Sequence, residues 1–551
     1  MKKRFIIKLA LLFTLGFTGC QKDFLDRYPM DTITDDLFWI TEEHLILAAN
    51  ACYANVKSKN TIDMERMGDN AFQSTTSDNY RIIGSGNFGY ELGTINTEWR
   101  AMYTAIRDCN VFMANYNRAT EVPEERREEI AGEVRAIRAY LYAYLTLFFG
   151  DVPLVTEPLE VDDLYGPRDD AETIQDFILD EFDAAAERLP AGLRDAANIG
   201  RMTKGAALAM KARYALYFGR WDVAEKAARD VMDMGVYELW TQGTPETTYN
   251  LLFTHAGKIR TGNNKETIVA RIHLLDVHMH NMSRETQVPD QSARFNPTKS
   301  LVDTYLCTDG LPIDKSSLYN ESTYEKIFEN RDPRMRQTIL APGDAWGGRS
   351  DGNPNQPDLD IFTAPKFLND RQGCVTVSGY YFTKYVDIPT VAQVNRDEND
   401  IHLLRYAEVL LTYAEAMLEQ GKLTQAVINE TINLLRDRVG MKRMSIAEIE
   451  ENELDLREEV RRERRVELAL EGQRYFDIKR WKIGDVLAED VLGVRRNLVM
   501  DQSSVANQRV NSAGYIIVND GRRFENPRHY LWPVPQTQHD RNPALGQNPG
   551  W

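Results

Sequence analysis

The chain has 551 residues, 43% hydrophobic and 27% charged, the balance of a globular protein long enough to bury a sizeable core. Its formal charge of −17 excludes duplex nucleic acid as a partner, because that association rests on Lys and Arg neutralising phosphates. Five cysteines in such a length exclude a disulfide scaffold.

Lys2, Lys3 and Arg4 open the chain, followed by an apolar run from Phe5 to Phe17 in which Lys8 is the only charge. That run is too short for a bilayer, which needs about 20 residues, so the spacing predicts a signal peptide over residues 1–19. Phe17-Thr18-Gly19-Cys20 resembles the bacterial lipobox, with Phe17 in place of the usual aliphatic residue, and predicts acylation of Cys20 as the first mature residue. Removing the four basic residues of the leader takes the charge to −21. A surface so acidic suits neutral or cationic ligands better than phosphates or strongly sulfated chains. No later stretch has membrane-spanning length without charge. Cys52, Cys109, Cys307 and Cys374 are expected as free thiols, since no CxxC pair points to a metal.

From Thr41 to Tyr237 the pattern is helical. Ile130, Val134, Ile137, Leu141, Leu145 and Phe148 share one face of a long helix that Gly150 and Pro153 end. Helices are predicted over Thr173–Leu189, Thr203–Phe218 and from Trp221 to about Met234. The last two look like a tetratricopeptide-type hairpin without a clean 34-residue repeat. Between about Leu239 and Asp400, Gly, Pro and Asn become frequent. Thr267–Leu275 and Val375–Tyr385 are predicted strands, and Ala341–Asp360 a long surface loop of the kind that carries binding function. Helix resumes from His402 to about Lys482, with Leu403, Tyr406, Leu410, Tyr413 and Met417 as one stripe and Ile428, Ile432 and Leu435 as the next. The fold class is mostly α: degenerate helical hairpins forming a scaffold, with an irregular, loop-rich lobe holding a few short strands.

DFLDRYPMDTITDDLFW after Cys20, then WRAMYTAIRDCNVFMANY, GEVRAIRAYLYAYLTLFFGDVPLV, GRMTKGAALAMKARYALYFGRWDVA, RYAEVLLTYAEAMLEQG, RRERRVELALEGQRYFDIKRW and the terminal LWPVPQTQHDRNPALGQNPGW together resemble the SusD/RagB family of outer-membrane nutrient-binding lipoproteins of Bacteroidetes. The resemblance spans nearly the whole chain. It implies residues 20–551 as one SusD-like domain, with an N-terminal helical part over 41–237, a ligand-binding lobe over 238–400 and a C-terminal helical part and tail over 401–551. It further implies no catalytic activity, no cofactor, capture of an oligosaccharide, and delivery to a SusC-type TonB-dependent transporter at the cell exterior. A peptide-binding RagB-like member is the alternative within the family, and a protein-binding tetratricopeptide-type adaptor the one outside it.

Side-chain chemistry narrows the candidates. REEVRRERR, Arg457–Arg465, pairs Glu458 with Arg462 four residues on and is expected as a salt-bridged helix face rather than a polyanion site. His273, His278 and His280 lack a zinc signature, and no metal is expected. Acids are too abundant for the sequence to single out the pair that glycoside hydrolysis needs, which leaves a helical glycosidase as the enzyme rival. A neutral sugar offers apolar C–H faces and a rim of hydroxyls, met by aromatic rings beside planar hydrogen-bonding groups. Ser77–Trp99 supplies that mixture, with Asp78, Asn79, Tyr80, Arg81, Phe88 and Tyr90 as ligand-binding candidates and Trp99 assigned to the core. The lobe adds Arg294, Phe295 and Trp346. Of Tyr380 and Tyr381, on a predicted strand, one is expected to face outward.

Overall fold

A computed structural model describes residues 38–160, 165–287, 294–346, 360–367, 375–388 and 395–551. Cys20 and Cys374, and the expectations attached to them, lie outside the described residues. So does most of the predicted loop after Ala341.

The frame begins with α1 (Glu42–Tyr53), capped by Thr41, whose hydroxyl accepts from the His44 amide. It continues through α2 (Gly93–Asn115), α3 (Glu124–Phe149), α4 (Ala171–Arg188), α5 (Lys204–Tyr217) and α6 (Trp221–Asp233). The helix after Thr203 starts there because the Thr203 hydroxyl accepts from the Ala206 amide at 3.1 Å. Gly150 stops α3 at φ +72°, a conformation that favours glycine. Successive helices pack as neighbours, α3 on α4, α4 on α5 and α5 on α6. Ala206, Ala209, Ala212, Ala224, Ala227 and Ala228 are buried, as close helix approach requires.

The partner of α6 on its other side is α7 (Tyr406–Glu419), some 170 residues further along. The lobe is therefore an insertion between two consecutive members of one helical stack, which continues with α8 (Leu456–Glu467) and α9 (Arg474–Arg480). Among the described residues four two-stranded antiparallel pieces decorate it: β1 (Ala71–Gln73) with β3 (Phe295–Pro297), β2 (Thr267–Arg271) with β6 (Ile401–Arg405), β4 (Ala345–Trp346) with β5 (Asp360–Ile361), and β7 (Val491–Arg495) with β8 (Tyr515–Asn519).

Several boundaries differ from the sequence-based expectations. Residues 401–405 are strand, so Leu403 does not belong to the α7 stripe; the ladder to β2 overrides local helical spacing. Thr431, at φ −128° and ψ −89°, divides the second predicted stripe into Gln425–Glu430 and Ile432–Arg438. In place of a strand over Val375–Tyr385, the described residues make isolated bridges, Phe367 to Thr376 and Ile339 to Phe382.

Lobe and frame meet at a buried ionic junction. Arg405, at the β6–α7 boundary, donates to Glu266 at 2.7 Å, to Glu467 at 2.7 Å and to both oxygens of Glu471 at 2.8 Å. Glu467 also takes Arg438 and Arg334. Burial alone would raise the Glu467 pKa, but these three guanidiniums outweigh it and hold the carboxyl well below its ordinary value. The run 457–465 is a salt-bridged helix with one solvated and one buried side. Glu459, Glu463 and Arg464 are buried, Arg462 pairs with Glu459 rather than Glu458, and Glu458 pairs with Arg461.

Candidate functional site

The turn that follows α1, Ala54–Asn60, separates two open clefts that share Ser58 and Lys59. The first holds about 530 Å³ between Lys59, Gln73, Thr75, His280, Asn281, Arg284, Glu285, Arg294 and Asn395. The second holds about 500 Å³ and is walled by Lys57, Thr97, Glu98, Tyr140, Tyr144, Arg271 and His278. Both volumes fall in the range of small-ligand sites.

The β1–β3 ladder places the first cleft's far wall. Ser74 donates its amide to the Arg294 carbonyl at 2.8 Å, which sets the exposed Arg294 side chain beside Thr75, at 3.4 Å from its hydroxyl. Alternation along the strand then turns Phe295 inward, fully buried against Phe382 with the Arg66 guanidinium 4.8 Å over its ring. Phe295 is thus core, not a ligand platform.

Beneath the cleft lies a lattice of charge. Glu285 accepts from Lys59 at 2.8 Å, Arg66 at 2.5 Å and Asn281 at 3.1 Å. Arg66 continues to Asp63 at 2.9 Å and Asp78 at 2.8 Å. Burial alone would lower the Arg66 pKa, yet Asp63, Glu285 and Asp78 together raise it above its ordinary value. The floor thus pairs two cations, Lys59 and Arg66, with three carboxylates, Glu285, Asp63 and Asp78, while the exposed Arg294 lines the opening together with Asn281.

The Ser77–Trp99 candidates divide by this geometry. Asp78 caps the helix Asn79–Gly84 through the Arg81 amide at 2.8 Å and grips Arg66, so it supports the cleft from behind. Tyr80 donates to Glu98 at 3.1 Å; Glu98 also takes Lys57 at 2.9 Å and lines the second cleft. Burial, then Glu98 and Asp63, push the Tyr80 hydroxyl well above its ordinary pKa, so it stays a donor. Arg81 bonds the Ser74 carbonyl at 2.7 Å and lies 4.7 Å over Phe72, bracing the cleft wall. Asn79 is exposed, and Tyr90 is 45% exposed away from both clefts.

Phe88, at 7% exposure, instead packs on His529 and Trp551 of the C-terminal tail. Trp346, at 3%, is wedged between Phe362 and Tyr381. Tyr380 and Tyr381 are both buried, because their segment is irregular backbone folded into the lobe core and strand alternation does not apply. Trp99 is core as expected, edge-on to Phe149 at 4.9 Å. Cys52, Cys109 and Cys307 are free and buried.

The three histidines do assemble, in the wall between the clefts. His273 stacks on His278 at 4.3 Å and meets His280 edge-on at 4.9 Å. Each ring has a nitrogen already engaged: His273 Nε2 with Ser58 Oγ at 3.2 Å, His280 Nε2 with the Asn399 carbonyl at 3.0 Å and His278 Nδ1 with the Ile272 carbonyl at 3.2 Å. Among the described residues no group of His, Cys, Asp and Glu is arranged to hold a metal. Sequence reasoning missed Ser58, Lys59, Asn281 and Glu285. The polar KSKN run directly after an apolar helix was the available signal for the first two.

A family model described as the SusD family matches residues 265–551, and one described as "Starch-binding associating with outer membrane" matches residues 23–216. A SusD-like carbohydrate binding protein from Bacteroides fragilis NCTC 9343 is 28% identical, with a TM-score of 0.77 over 92% of this chain and 99% of that one. A second SusD-like protein from the same strain is 27% identical, with a TM-score of 0.75 over 95% and 100%. SusD-like protein P38 of Formosa agariphila is 23% identical over 535 residues, 91% of this chain and 95% of that protein.

Proposed function

This chain belongs to the SusD family, and on that premise we propose that it captures an oligosaccharide in the paired clefts around Ser58 and Lys59. The observation that carries the reading is the first cleft itself, where the exposed Arg294, with Asn281 and Thr75, lines an opening whose floor charges are already paired. Such planar groups match a rim of hydroxyls. The carbohydrate-binding relative from Bacteroides fragilis supports the same ligand class. The aromatic share of the site is smaller than the sequence suggested, and affinity rests on hydrogen bonds more than on ring stacking.

The protein acts by binding alone. Glu285, the carboxylate nearest the opening, has both oxygens occupied by Lys59, Arg66 and Asn281, which leaves it unsuited to protonating a leaving group. Capture is followed by release to a SusC-type TonB-dependent transporter, with the protein held at the outer membrane through acyl groups on Cys20. The description of the family model over residues 23–216 supports the outer-membrane part. Calorimetry against a panel of neutral oligosaccharides and a peptide digest tests the ligand class. Heat with a glycan is the expected result; heat with peptides alone transfers the site to the peptide-binding branch, and release of new reducing ends from any polysaccharide ends the non-catalytic reading.

A further inference from the structure

A third cleft, of about 620 Å³, lies away from the paired clefts, and it is built from three elements that are bonded to one another. One wall is the face of α2 that carries Trp99, Arg100, Tyr103 and Arg107. The second is the connector between α3 and α4, tied down by Tyr103 donating to the Pro153 carbonyl at 2.8 Å and the Leu154 amide donating to Asp169 at 2.7 Å. The third is the C-terminal helix Gln536–Arg541 and the turn after it. Gln538 donates to Asn96 at 2.9 Å, and Asn542 to the Gly166 carbonyl at 2.8 Å. These bonds tie the described parts of the three walls to one another.

Its lining combines two features that occur together in none of the other clefts described above. Leu159 and Tyr165, 46% and 63% exposed, line it together with Pro153 and Pro167, which is unusual apolar surface to leave in water. Arg100, Arg107 and Arg541 stand around that surface, all exposed, and none of them makes an ion pair or side-chain hydrogen bond among the described residues. Arg107 acts electrostatically on its chain neighbour Asp108, which does not line the cleft. In a chain with 83 acidic residues, three unpaired guanidiniums at one cleft, against Asp169 as the carboxylate among its described lining residues, form a local exception to the acidic surface. Arg100 and Arg107 are seven residues apart on one helix face, about 10 Å along the axis, so they are placed to meet separate charges on an extended ligand.

We propose that this cleft is a second ligand site, for a saccharide bearing carboxylate or sulfate groups. Guanidinium is the donor best matched to either anion, through paired N–H bonds. The apolar rim suits the C–H face of a sugar ring. A peptide would instead pair its backbone with a strand edge or lay a helix in a groove. The walls here are helices and a connector, with a single isolated bridge, Val152 to Asp169, at their margin. The concavity argues against a flat anionic membrane. The anionic part of the assignment rests on the guanidiniums alone, and the saccharide part on the function proposed above.

The test is calorimetry of the full mature chain with three probes: an oligogalacturonate, an oligosaccharide of sulfated galactose and a glutamate oligomer. At least one anionic saccharide is expected to bind, more tightly at low salt, with carboxylate and sulfate told apart by the first two arms. The double variant Arg107→Gln, Arg541→Gln should weaken that binding about tenfold or more. Arg294→Ala, in the first cleft, should leave it unchanged. Both lie on the surface, and equal urea midpoints establish that each variant is folded. No heat with either saccharide, equal binding by the variant, or glutamate bound as well and with the same sensitivity to the variant overturns the proposal. Failure of the neutral panel with success here would remove the first reading and leave this one standing.

Discussion

Arg66 joins the two halves of the first cleft's floor, touching Asp63 and Asp78 on the frame and Glu285 on the lobe while only slightly exposed. Removing one partner from such a cluster strands the others, at a cost of about 3–5 kcal/mol. Arg66→Ala should therefore lower the urea midpoint and loosen the cleft together; a midpoint unchanged within error would show that water satisfies the three carboxylates. The histidines give a second residue-scale prediction. Burial pushes His273 down to about 3 and His280 and His402 down to about 4, whereas in the unfolded chain each titrates near 6.5. The unfolded state binds more protons between those limits, so stability is full above pH 6.5 and is lost as pH falls toward 4. Glu65, raised to about 7 by burial, works the other way, as do Asp303, Asp400 and Glu459, which burial pushes up, while His529, lowered to about 4 by burial, acts with the three. Urea midpoints should fall from pH 7 to pH 5, and His402→Gln should flatten the slope; a midpoint that rises on acidification contradicts the assignment. Asp78, Tyr80 and Arg81 were legible as polar groups near a site, but their inward roles were not, because Arg66 and Glu98, 12 and 18 residues from their partners, are brought to them by the packing of separate helical turns that no local pattern fixes.

Helices α4 to α6 and the end of α3 were visible in the sequence almost to the residue, since periodicity, caps and the Gly150 stop all act locally. Elements set by distant pairing were not. Residues 401–405 carry a spacing that continues the α7 stripe, and only β2, more than a hundred residues earlier, makes them a strand. Arg294 and Phe295 both precede the Asn-Pro-Thr at which the family resemblance implies a segment beside the ligand cleft, and strand alternation at β3 separates them, with Arg294 exposed and Phe295 buried. Energetics at this scale should show the same division. Thr203→Ala removes one cap and should cost about 1 kcal/mol. Arg405→Ala, which leaves Glu266, Glu467 and Glu471 short of a buried cation, should cost about 3–5 kcal/mol and loosen the lobe from the frame. Urea unfolding of both variants checks the contrast, and similar losses would mean that the junction is hydrated rather than dry.

At the scale of the molecule, a helical stack is interrupted after α6 by a lobe and resumes at α7, so the paired clefts are shared between the two bodies. The lobe supplies His280, Asn281, Glu285 and Arg294 to the first cleft and Arg271 and His278 to the second, while the frame supplies the turn after α1 to both, β1 to the first, and α2 and α3 to the second. Long-range assembly of this kind leaves no local pattern, which is why the family resemblance located the function while composition alone located only a region. The central claim is that the opening at Asn281 and Arg294 holds the glycan. It is tested most directly by titrating the glycan found in the neutral panel into the double variant Asn281→Ala, Arg294→Ala, with the third-cleft pair Arg107→Gln, Arg541→Gln as control. A loss of about tenfold or more in the first variant alone, with unfolding midpoints unchanged in both, is the predicted result; wild-type affinity in the first variant would contradict it.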